Sequence, residues 1–531
     1  MHYLGGEAVP RRILGFVAVP VLVFASACGS TVSLGQTSAG QPLTDGLSST
    51  TADNSSGSLS QSIQQQGTSS GAPGLTSSTS TAPSSTAFTG EQPTGGSGVS
   101  GGARDAVGVS PTSVTIGISN VSNADAANAA LGANFTAGNT KGEMDAMVSY
   151  INAHGGVGGK KLIVVFHPVD GASSQTRDQR DQAACADYTQ DHHVFAVLDS
   201  TPSENLLSCI GKTAINIAGF ETSGYNKVDF IRHPYFFDIN TLVGESEYGD
   251  LVPLLVRQGW VSGWNNAAGA AAPAVKAVLG VLSVDYPQIT TVTDHVLLPA
   301  LARAGYAVKP ENVVRLHNPN SQAETSQTVA QIQSSVLRFR SAGVTHVIIM
   351  DSAGGVTFFF GTDAESQGYR PRYGVTSANA MQGLLESGQL PKRQAAGAMG
   401  LGYVPLGDIP AADDPPNSGP YTNATRRLCL SIFSKAGIKL ASPNEQQIAL
   451  LYCDKFLFFQ HAASSVRGAL TRDSFRASVD ALGTSFAPST LQGGRFDATH
   501  HFANYLGYDL RYVPACGCMR YFGSPFRLSA A

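Results

Sequence analysis

The chain has 531 residues, of which 42% are hydrophobic and 14% charged, and its formal net charge is −4. No basic face is evident, so the composition argues against a nucleic-acid partner, which would be recognised by clustered Lys and Arg. The length is sufficient for two lobes with separate cores. Beyond residue 28, no apolar run approaches the ~20 residues of a membrane-spanning helix.

The first 28 residues have the pattern of an export signal. Arg11 and Arg12 precede an apolar stretch at 13–24, and small residues then lead to Cys28. This order is typical of a secretory signal peptide and not of a transmembrane helix. A cysteine directly after small residues resembles the lipobox of bacterial lipoproteins, in which that cysteine is lipidated and becomes the mature N-terminus. We therefore expect lipidation at Cys28; the alternative is an ordinary signal peptide with an incidental cysteine.

Residues 29–104 have the composition of a linker. Ser, Thr and Gly fill 30 of the 50 positions from 51 to 100, and no Lys or Arg lies between Arg12 and Arg104. Such a segment buries too little apolar surface to offset the entropy lost on ordering. The sequence therefore predicts a disordered tether between the membrane and a folded part that begins near residue 105.

Six cysteines follow Cys28, namely Cys185, Cys209, Cys429, Cys453, Cys516 and Cys518. An even number in an exported chain predicts disulfides, although spacing alone leaves several pairings open. Order along the chain suggests 185–209, 429–453 and 516–518. A metal site at the last pair is the alternative, but no further His or Cys lies nearby at zinc-like spacing.

From about residue 112 the pattern alternates between strands and helices. Continuous apolar runs predict strands at 114–118, 162–166, 194–198, 276–284 and 345–350. Apolar residues at helical spacing predict helices near 144–153 and 329–342. Further helices are expected near 174–190, 422–436, 446–463 and 472–482. The first of these helices should end at Gly155-Gly156, a natural C-cap. This alternation predicts parallel sheets covered on both faces, and the length suggests two of them.

The segment 150–162, Tyr-Ile-Asn-Ala-His-Gly-Gly-Val-Gly-Gly-Lys-Lys-Leu, resembles the Ile-Asn-x-x-Gly-Gly-Ile-x-Gly element of type I periplasmic binding proteins, the branched-chain amino acid receptors of ABC transporters. Residues 233–238 are similar to the segment where that family first crosses between lobes. Residues 274–285 are similar to the opening strand of its second lobe. The segment at Asp351 and a strand at 373–376 follow in the family's order, so the resemblance covers roughly residues 110–525.

The resemblance implies an α/β fold of two Rossmann-like lobes with parallel sheets. Three hinge crossovers would lie near 237–240, 402–407 and 502–508. Lobe 1 would comprise residues 105–238 and 404–503, and lobe 2 residues 239–403 and 504–531. A ligand would bind between the lobes at the carboxyl ends of the strands, and hinge motion would close the cleft.

The loop 199–205 is the first predicted ligand contact. It follows a strand, leads into a helix and contains Ser200, Thr201 and Ser203. Hydroxyls and free backbone N–H groups at a helix start suit a carboxylate, and the family's corresponding loop contacts its ligand's carboxylate. The alternative is a plain helix cap at Ser203.

Further predicted ligand contacts follow other strands. The resemblance implies contacts at Ala218, Phe220 and Thr222. A position at the carboxyl end of a strand favours Asn120, Tyr286, Asp351, Ser377 and Asn379. Tyr286 could stack on an apolar part of the ligand. Asp351 could pair with an ammonium group or cap a helix. Glu221 departs from the family pattern, and no acid is clearly placed where the amino-acid receptors keep one, which puts an amino-acid ligand itself in question.

Two enzymatic interpretations fail on spacing. A phosphate loop at 155–161 would need glycine at His154 and Ser or Thr at Lys161. No G-x-S-x-G nucleophile elbow occurs. We therefore expect a protein that is not an enzyme and that uses neither metal nor cofactor.

Together with the export signal, the resemblance implies a lipid-anchored, extracytoplasmic substrate-binding protein of an ABC importer. Its partners would be a small polar or zwitterionic solute of the amino acid or amide class, a membrane permease, and the membrane itself through the lipid anchor. We expect a monomer with no nucleic-acid partner. The alternatives are a ligand sensor of the same fold without transport and an exported enzyme.

Overall fold

The computed structural model describes residues 105–130, 136–199, 202–219, 224–351 and 354–529. The predicted signal peptide, Cys28 and the linker lie outside these residues. The described residues belong to one unit of the chain. No described helix combines the length and apolar character that a membrane crossing requires.

The described strands are, in chain order, β1 (Ser113–Ser122), β2 (Lys161–Asp170), β3 (Ala196–Val197), β4 (Ile215–Ala218), β5 (Phe236–Asp238), β6 (Trp264–Asn265), β7 (Ala270–Ala271), β8 (Leu279–Asp285), β9 (Val313–His317), β10 (His346–Ile349), β11 (Arg372–Thr376), β12 (Met399–Gly402), β13 (Leu506–Val513) and β14 (Cys518–Arg527).

The described α-helices are α1 (Ala124–Ala130), α2 (Thr140–Ala153), α3 (Arg177–Ala186), α4 (Glu204–Ile210), α5 (Lys227–Arg232), α6 (Gly244–Arg257), α7 (Pro287–Val292), α8 (Leu298–Arg303), α9 (Gln322–Ser341), α10 (Gly355–Ser366), α11 (Met381–Glu386), α12 (Pro405–Asp408), α13 (Ala424–Lys435), α14 (Pro443–Ser464) and α15 (Arg472–Asp480). Turns of π-helix extend α3 and α7, at Asp187–Asp191 and Thr293–Leu297.

Lobe 1 is built on a five-stranded sheet with the order β2-β1-β3-β4-β5, in which all neighbours are parallel. Its apolar strands are buried as predicted: all four residues of β4 are buried, and Val114, Ile116 and Ile118 of β1 are fully covered. Helix α2 ends where expected, because Gly155 and Gly156 adopt φ values of +92° and +67° that favour glycine. Helix α14, from the later part of the chain, packs on α2 and β4.

Lobe 2 is built on a seven-stranded sheet with the order β14-β13-β12-β11-β10-β8-β9. Strands β8 to β12 are parallel, as predicted, whereas β13 and β14 pair antiparallel. The prediction of wholly parallel sheets is therefore incomplete at this edge. The four residues between β13 and β14 are too few for the crossover that a parallel pair needs, so the two strands form a hairpin.

The three crossovers between the lobes lie side by side. The backbone N–H of Asp238 donates to the carbonyl of His501 at 2.8 Å, and that of Ala503 donates to Asp238 at 2.9 Å. The side-chain amide of Asn504 donates to the carbonyl of Tyr403 at 3.0 Å. These contacts join the segments near 238, 403 and 502, so the three predicted crossover segments lie together.

The three disulfides join the cysteines in the order predicted along the chain. Cys185–Cys209 ties α3 to α4, Cys429–Cys453 ties α13 to α14, and Cys516–Cys518 spans the turn between β13 and β14. The first two disulfides each link a pair of helices in lobe 1.

Candidate functional site

The carboxyl edge of the lobe 1 sheet carries a polar cluster. The hydroxyl of Ser119, on β1, lies 3.2 Å from that of Tyr188 and donates to the carboxylate of Asp199 at 3.4 Å. Asp199 follows β3, and Tyr188 is fully buried beneath it. Burial raises the pKa of the Tyr188 phenol well above its ordinary value, so this hydroxyl stays protonated.

Helix α14 brings a fully buried ammonium group to the same edge. Lys455 Nζ donates to the carbonyl of Asp199 at 3.5 Å and lies 4.5 Å above the ring of Tyr452. A Cβ at Gly219, just after β4, would lie 3.1 Å from Cγ of Lys455. Desolvation lowers the pKa of Lys455 to about 8, while Asp199 and Asp238 act in the opposite direction.

Asp238 ends β5 beside this lysine and is fully buried. One carboxylate oxygen accepts from the backbone N–H groups of Asn240 and Thr241, each at 3.0 Å. The other oxygen has no hydrogen-bond partner among the described residues. Desolvation raises the pKa of Asp238 to about 7, against the effect of the two N–H groups and of Lys455.

Several hydrogen bonds join the two lobes across the cleft. The backbone N–H of Arg177, at the start of α3, donates to Asn320 O at 2.7 Å. The amide of Asn320 in turn donates to Asp178 at 3.0 Å. Gln288 at the start of α7 donates to Asp229 of α5 at 3.5 Å. The carboxyl edges of the two sheets therefore face each other with their flanking helices in contact.

Tyr286 of lobe 2 reaches this interface. Burial raises the pKa of its phenol, and the charges of Arg177, Asp229 and Glu204, all in lobe 1, act on it together with a backbone hydrogen bond at Glu204. This predicted ligand residue therefore lies where the two lobes meet.

Comparison with solved structures identifies proteins of the same architecture. A possible leucine/isoleucine/valine-binding protein from Rhodopirellula baltica is 12% identical, with 78% of this chain and 96% of that chain covered and a TM-score of 0.52. An ABC-transporter solute-binding protein from R. palustris, in complex with 4-hydroxybenzoate, is 12% identical, with 78% and 97% covered and a TM-score of 0.52. A fatty acid ABC transporter substrate-binding protein from Thermomonospora curvata is 13% identical, with 80% and 95% covered and a TM-score of 0.51.

The chain has the fold of the type I periplasmic solute-binding proteins. The coverage extends over nearly the whole length of each of these structures, which agrees with the fold that the sequence resemblance implies. No protein-family model matches the sequence, and no curated protein matches it.

Four of the predicted ligand residues lie outside the described part of the chain, namely Ser200, Thr201, Phe220 and Thr222. Residues 200 and 201 directly follow Asp199, so their loop starts at the edge where Lys455 is buried. The ligand contacts assigned to them remain predictions.

Ser203 and Ala218 lie at the carboxyl edge of lobe 1. The Ser203 hydroxyl accepts from Leu206 N at 3.1 Å, which caps α4, and it also donates to Asp181. Ala218 ends β4 and is fully buried. Asn120 lies near the end of β1, opposite Pro168 in register, and is half-buried. The geometry thus shows the capping role that was the alternative for Ser203.

Asp351 lies just after β10 in lobe 2. It is only 3% exposed, and its carboxylate accepts from the N–H groups of Val356 and Thr357 at 3.2 and 2.7 Å, at the start of α10. This is the capping role expected as the alternative to ammonium binding. A ligand contact at Asp351 stays a prediction.

Ser377 and Asn379 fix the loop after β11. Ser377 donates to Asp408 at 2.7 Å and accepts from Tyr403 N at 2.7 Å. Asn379 accepts from Thr376 N at 2.7 Å and donates to Ile349 O at 3.0 Å. Both side chains are buried and join neighbouring strand ends of lobe 2, which places them at the predicted edge with structural partners.

Sequence reasoning missed Lys455 and Asp238. Lys455 lies with Asp454 between the apolar segments 448–453 and 456–459 of α14, where a buried charge is unusual. This charged pair among apolar residues was the sequence feature from which a functional role for Lys455 could have been predicted. Within the described residues, no group of three or more His, Cys, Asp or Glu side chains is arranged to hold a metal ion.

Proposed function

We propose that the protein is the extracytoplasmic, lipid-anchored substrate-binding component of an ABC importer, and that its ligand is a small carboxylic acid such as an amino acid. The ligand would bind between the lobes, and hinge motion would close them around it. The observation that carries this proposal is the buried Lys455 ammonium at the start of the loop predicted to hold a carboxylate.

Electrostatics supports an acidic ligand at this edge. A carboxylate bound beside the 199–205 loop would interact with Lys455 through a medium of low dielectric, where attraction between opposite charges is much stronger than in water. Asp199 and Ser119 lie in the same cluster and could receive an ammonium or hydroxyl group of the same molecule. This arrangement suits a zwitterion or a hydroxy acid.

The solved structures of the same fold agree with this choice. The three described above are named for, or hold, branched-chain amino acids, 4-hydroxybenzoate and fatty acids, and each of these ligands has a carboxyl group. Their common feature supports a carboxylate-binding cleft in this chain.

A thermal-shift panel tests the ligand class. The chain is first unfolded and refolded to remove any co-purified ligand, then heated with leucine, 4-hydroxybenzoate or octanoate, each beside the carboxamide that lacks its carboxylate charge. The matching acid should stabilise the fold by about 2.7 kcal/mol at a concentration of 100 times its dissociation constant. Equal stabilisation by acid and amide would contradict the role of the carboxylate, and no stabilisation across a wider panel of acids would contradict the proposal as a whole.

The lipid anchor is tested at Cys28. Expressed in a bacterium that processes lipoproteins, the chain should fractionate with membranes and carry acyl groups on Cys28, whereas Cys28→Ala should be found in the soluble fraction. Mass spectrometry of the N-terminal peptide is the measurement. An unmodified Cys28 in the mature chain would exclude the anchor and leave an ordinary signal peptide.

A further inference from the structure

The turn between β13 and β14 carries a disulfide that the solute-binding function does not use. Cys516 and Cys518 are joined there with a single residue, Gly517, between them. The turn also has backbone bonds of its own: Gly517 N donates to Val513 O at 2.9 Å, and Val513 faces Cys518 as the last pair of the ladder. The hairpin therefore keeps its shape without help from the disulfide.

The accessibility of this disulfide differs from that of a second one in the same chain. Cys516 is exposed and Cys518 is 6% exposed, whereas Cys429 and Cys453 are both fully buried between α13 and α14. Thiol–disulfide exchange requires a thiolate to approach a sulfur atom directly. An external thiol can therefore reach Cys516 in the folded protein, while the 429–453 bond is covered.

The fold also protects the two bonds to different extents. A disulfide stabilises a fold chiefly by restricting the unfolded chain, and the effect grows with the loop that it closes. By linkage, the fold stabilises the disulfide by the same amount. Cys516 and Cys518 are two positions apart, against 24 for each of the other pairs. Of the three disulfides, the 516–518 bond is therefore the one that folding stabilises least.

A lysine lies against the turn. The Cδ and Nζ atoms of Lys392 lie 2.6 Å from the position that a Cβ at Gly517 would occupy. A nearby ammonium group stabilises a thiolate and so favours its departure from a disulfide. Two arginines of the hairpin are paired with acids, Arg511 with Asp509 and Arg520 with Asp413.

We propose that Cys516 and Cys518 form a thiol–disulfide exchange site that reacts with thiols outside the membrane. A thiolate attacks Sγ of Cys516 and forms a mixed disulfide. The 516–518 bond breaks, and Sγ of Cys518 leaves with the electron pair and takes a proton from solvent. A second thiolate attacks the mixed disulfide at the sulfur of the bound thiol. One molecule of the thiol's disulfide is released, Cys516 is left reduced, and two thiols have been oxidised as the protein gains two electrons.

The test is a redox titration of the folded full chain with glutathione as the probe. Samples at increasing ratios of reduced to oxidised glutathione are alkylated, digested and analysed by mass spectrometry. We expect the 516–518 pair to be reduced at a ratio at least tenfold lower than the 429–453 pair, and at least tenfold faster with excess thiol. Circular dichroism of the same samples should show no unfolding. The proposal is overturned if 516–518 is reduced together with 429–453, or only when the chain unfolds.

Two variants separate reactivity from structure. Lys392→Met should slow reduction of the 516–518 bond about threefold, and Lys435→Met, on an exposed part of α13, should not alter it. Cys516→Ser with Cys518→Ser should abolish thiol oxidation by the protein while its melting temperature stays within about 2 °C of the wild type. A large fall in melting temperature would instead assign the bond a structural role and overturn the proposal.

Discussion

The carboxyl edges of the two sheets face the same cleft but use their polar side chains differently. In lobe 1, Lys455 and Asp238 are fully buried, and both have pKa values displaced toward neutrality. In lobe 2, Asp351 and Asn379 bind backbone groups at the ends of their own strands and helices. Under the proposed function, we therefore expect ligand affinity to reside mainly in lobe 1, with lobe 2 forming a rigid wall.

Replacing Lys455 should have the largest effect. Lys455→Met removes the ammonium and keeps a side chain of similar length. The binding free energy for an acidic ligand should weaken by about 1.5–3 kcal/mol, the usual contribution of a hydrogen bond to a charged group. Isothermal titration with the acid found in the panel measures it. Lys435→Met is the surface control. An unchanged affinity would remove lobe 1 from carboxylate binding.

Loss of Lys455 could also unfold the chain, because Asp238 would remain buried without its cationic neighbour. The double variant Lys455→Met with Asp238→Asn removes that charge as well. It should recover the wild-type melting temperature but not the affinity. Recovery of both would show that the lysine acts only on stability.

Stability should depend on pH through Asp238. Because its pKa is raised to about 7 in the folded state, the folded chain holds a proton that the unfolded chain releases near pH 4. The free energy of unfolding should therefore fall as the pH rises from 5 to 8, and Asp238→Asn should reduce this fall by roughly 2–3 kcal/mol. Urea unfolding at both pH values measures the difference.

Other buried acids, among them Glu247 and Asp454, also have pKa values raised to about 7 by burial. These acids lower the free energy of unfolding with rising pH in both the wild type and Asp238→Asn. The difference between the two proteins therefore reports on Asp238 alone. The measurement stops at pH 8 because the lowered pKa of Lys455 acts in the opposite direction above that value. An identical pH dependence in the two proteins would contradict the role of Asp238.

Replacing Asp351 should have the smallest effect on binding and a clear effect on stability. Asp351→Ala removes the acceptor for two N–H groups of α10 and should lower the free energy of unfolding by about 1 kcal/mol. The ligand affinity should change less than threefold. Asp285→Ala, at the exposed end of β8, is the control. A tenfold loss of affinity with unchanged stability would reverse the assignment and make Asp351 a ligand residue.

The sequence was sufficient for the fold because its local patterns agree with the tertiary structure. Apolar runs such as 114–118 become buried strands, and the glycines at 155 and 156 end α2 as predicted. The predicted strand 194–198 shrinks to Ala196–Val197, since pairing with neighbours and not the apolar run sets a strand's ends.

The candidate site was less predictable. Lys455 reaches the carboxyl edge only because α14 packs on β4, about 240 residues earlier in the chain, and no local pattern encodes such a contact. The role of Asp351 depended on whether its carboxylate reached the next helix, which spacing alone left open between a cap and a ligand contact.

The return of the chain to lobe 1 after lobe 2 has a consequence for biogenesis. Helix α14 covers α2, and Ser464 accepts a hydrogen bond from Gly158 across 306 positions of sequence, so neither lobe has its full set of elements until late in the chain. Contacts this distant slow folding. A chain emerging through a translocation channel would expose the apolar face of α2 until residue 464 had passed. Under the proposed extracytoplasmic function, folding would therefore benefit from chaperones that hold the early segment on the outer side of the membrane.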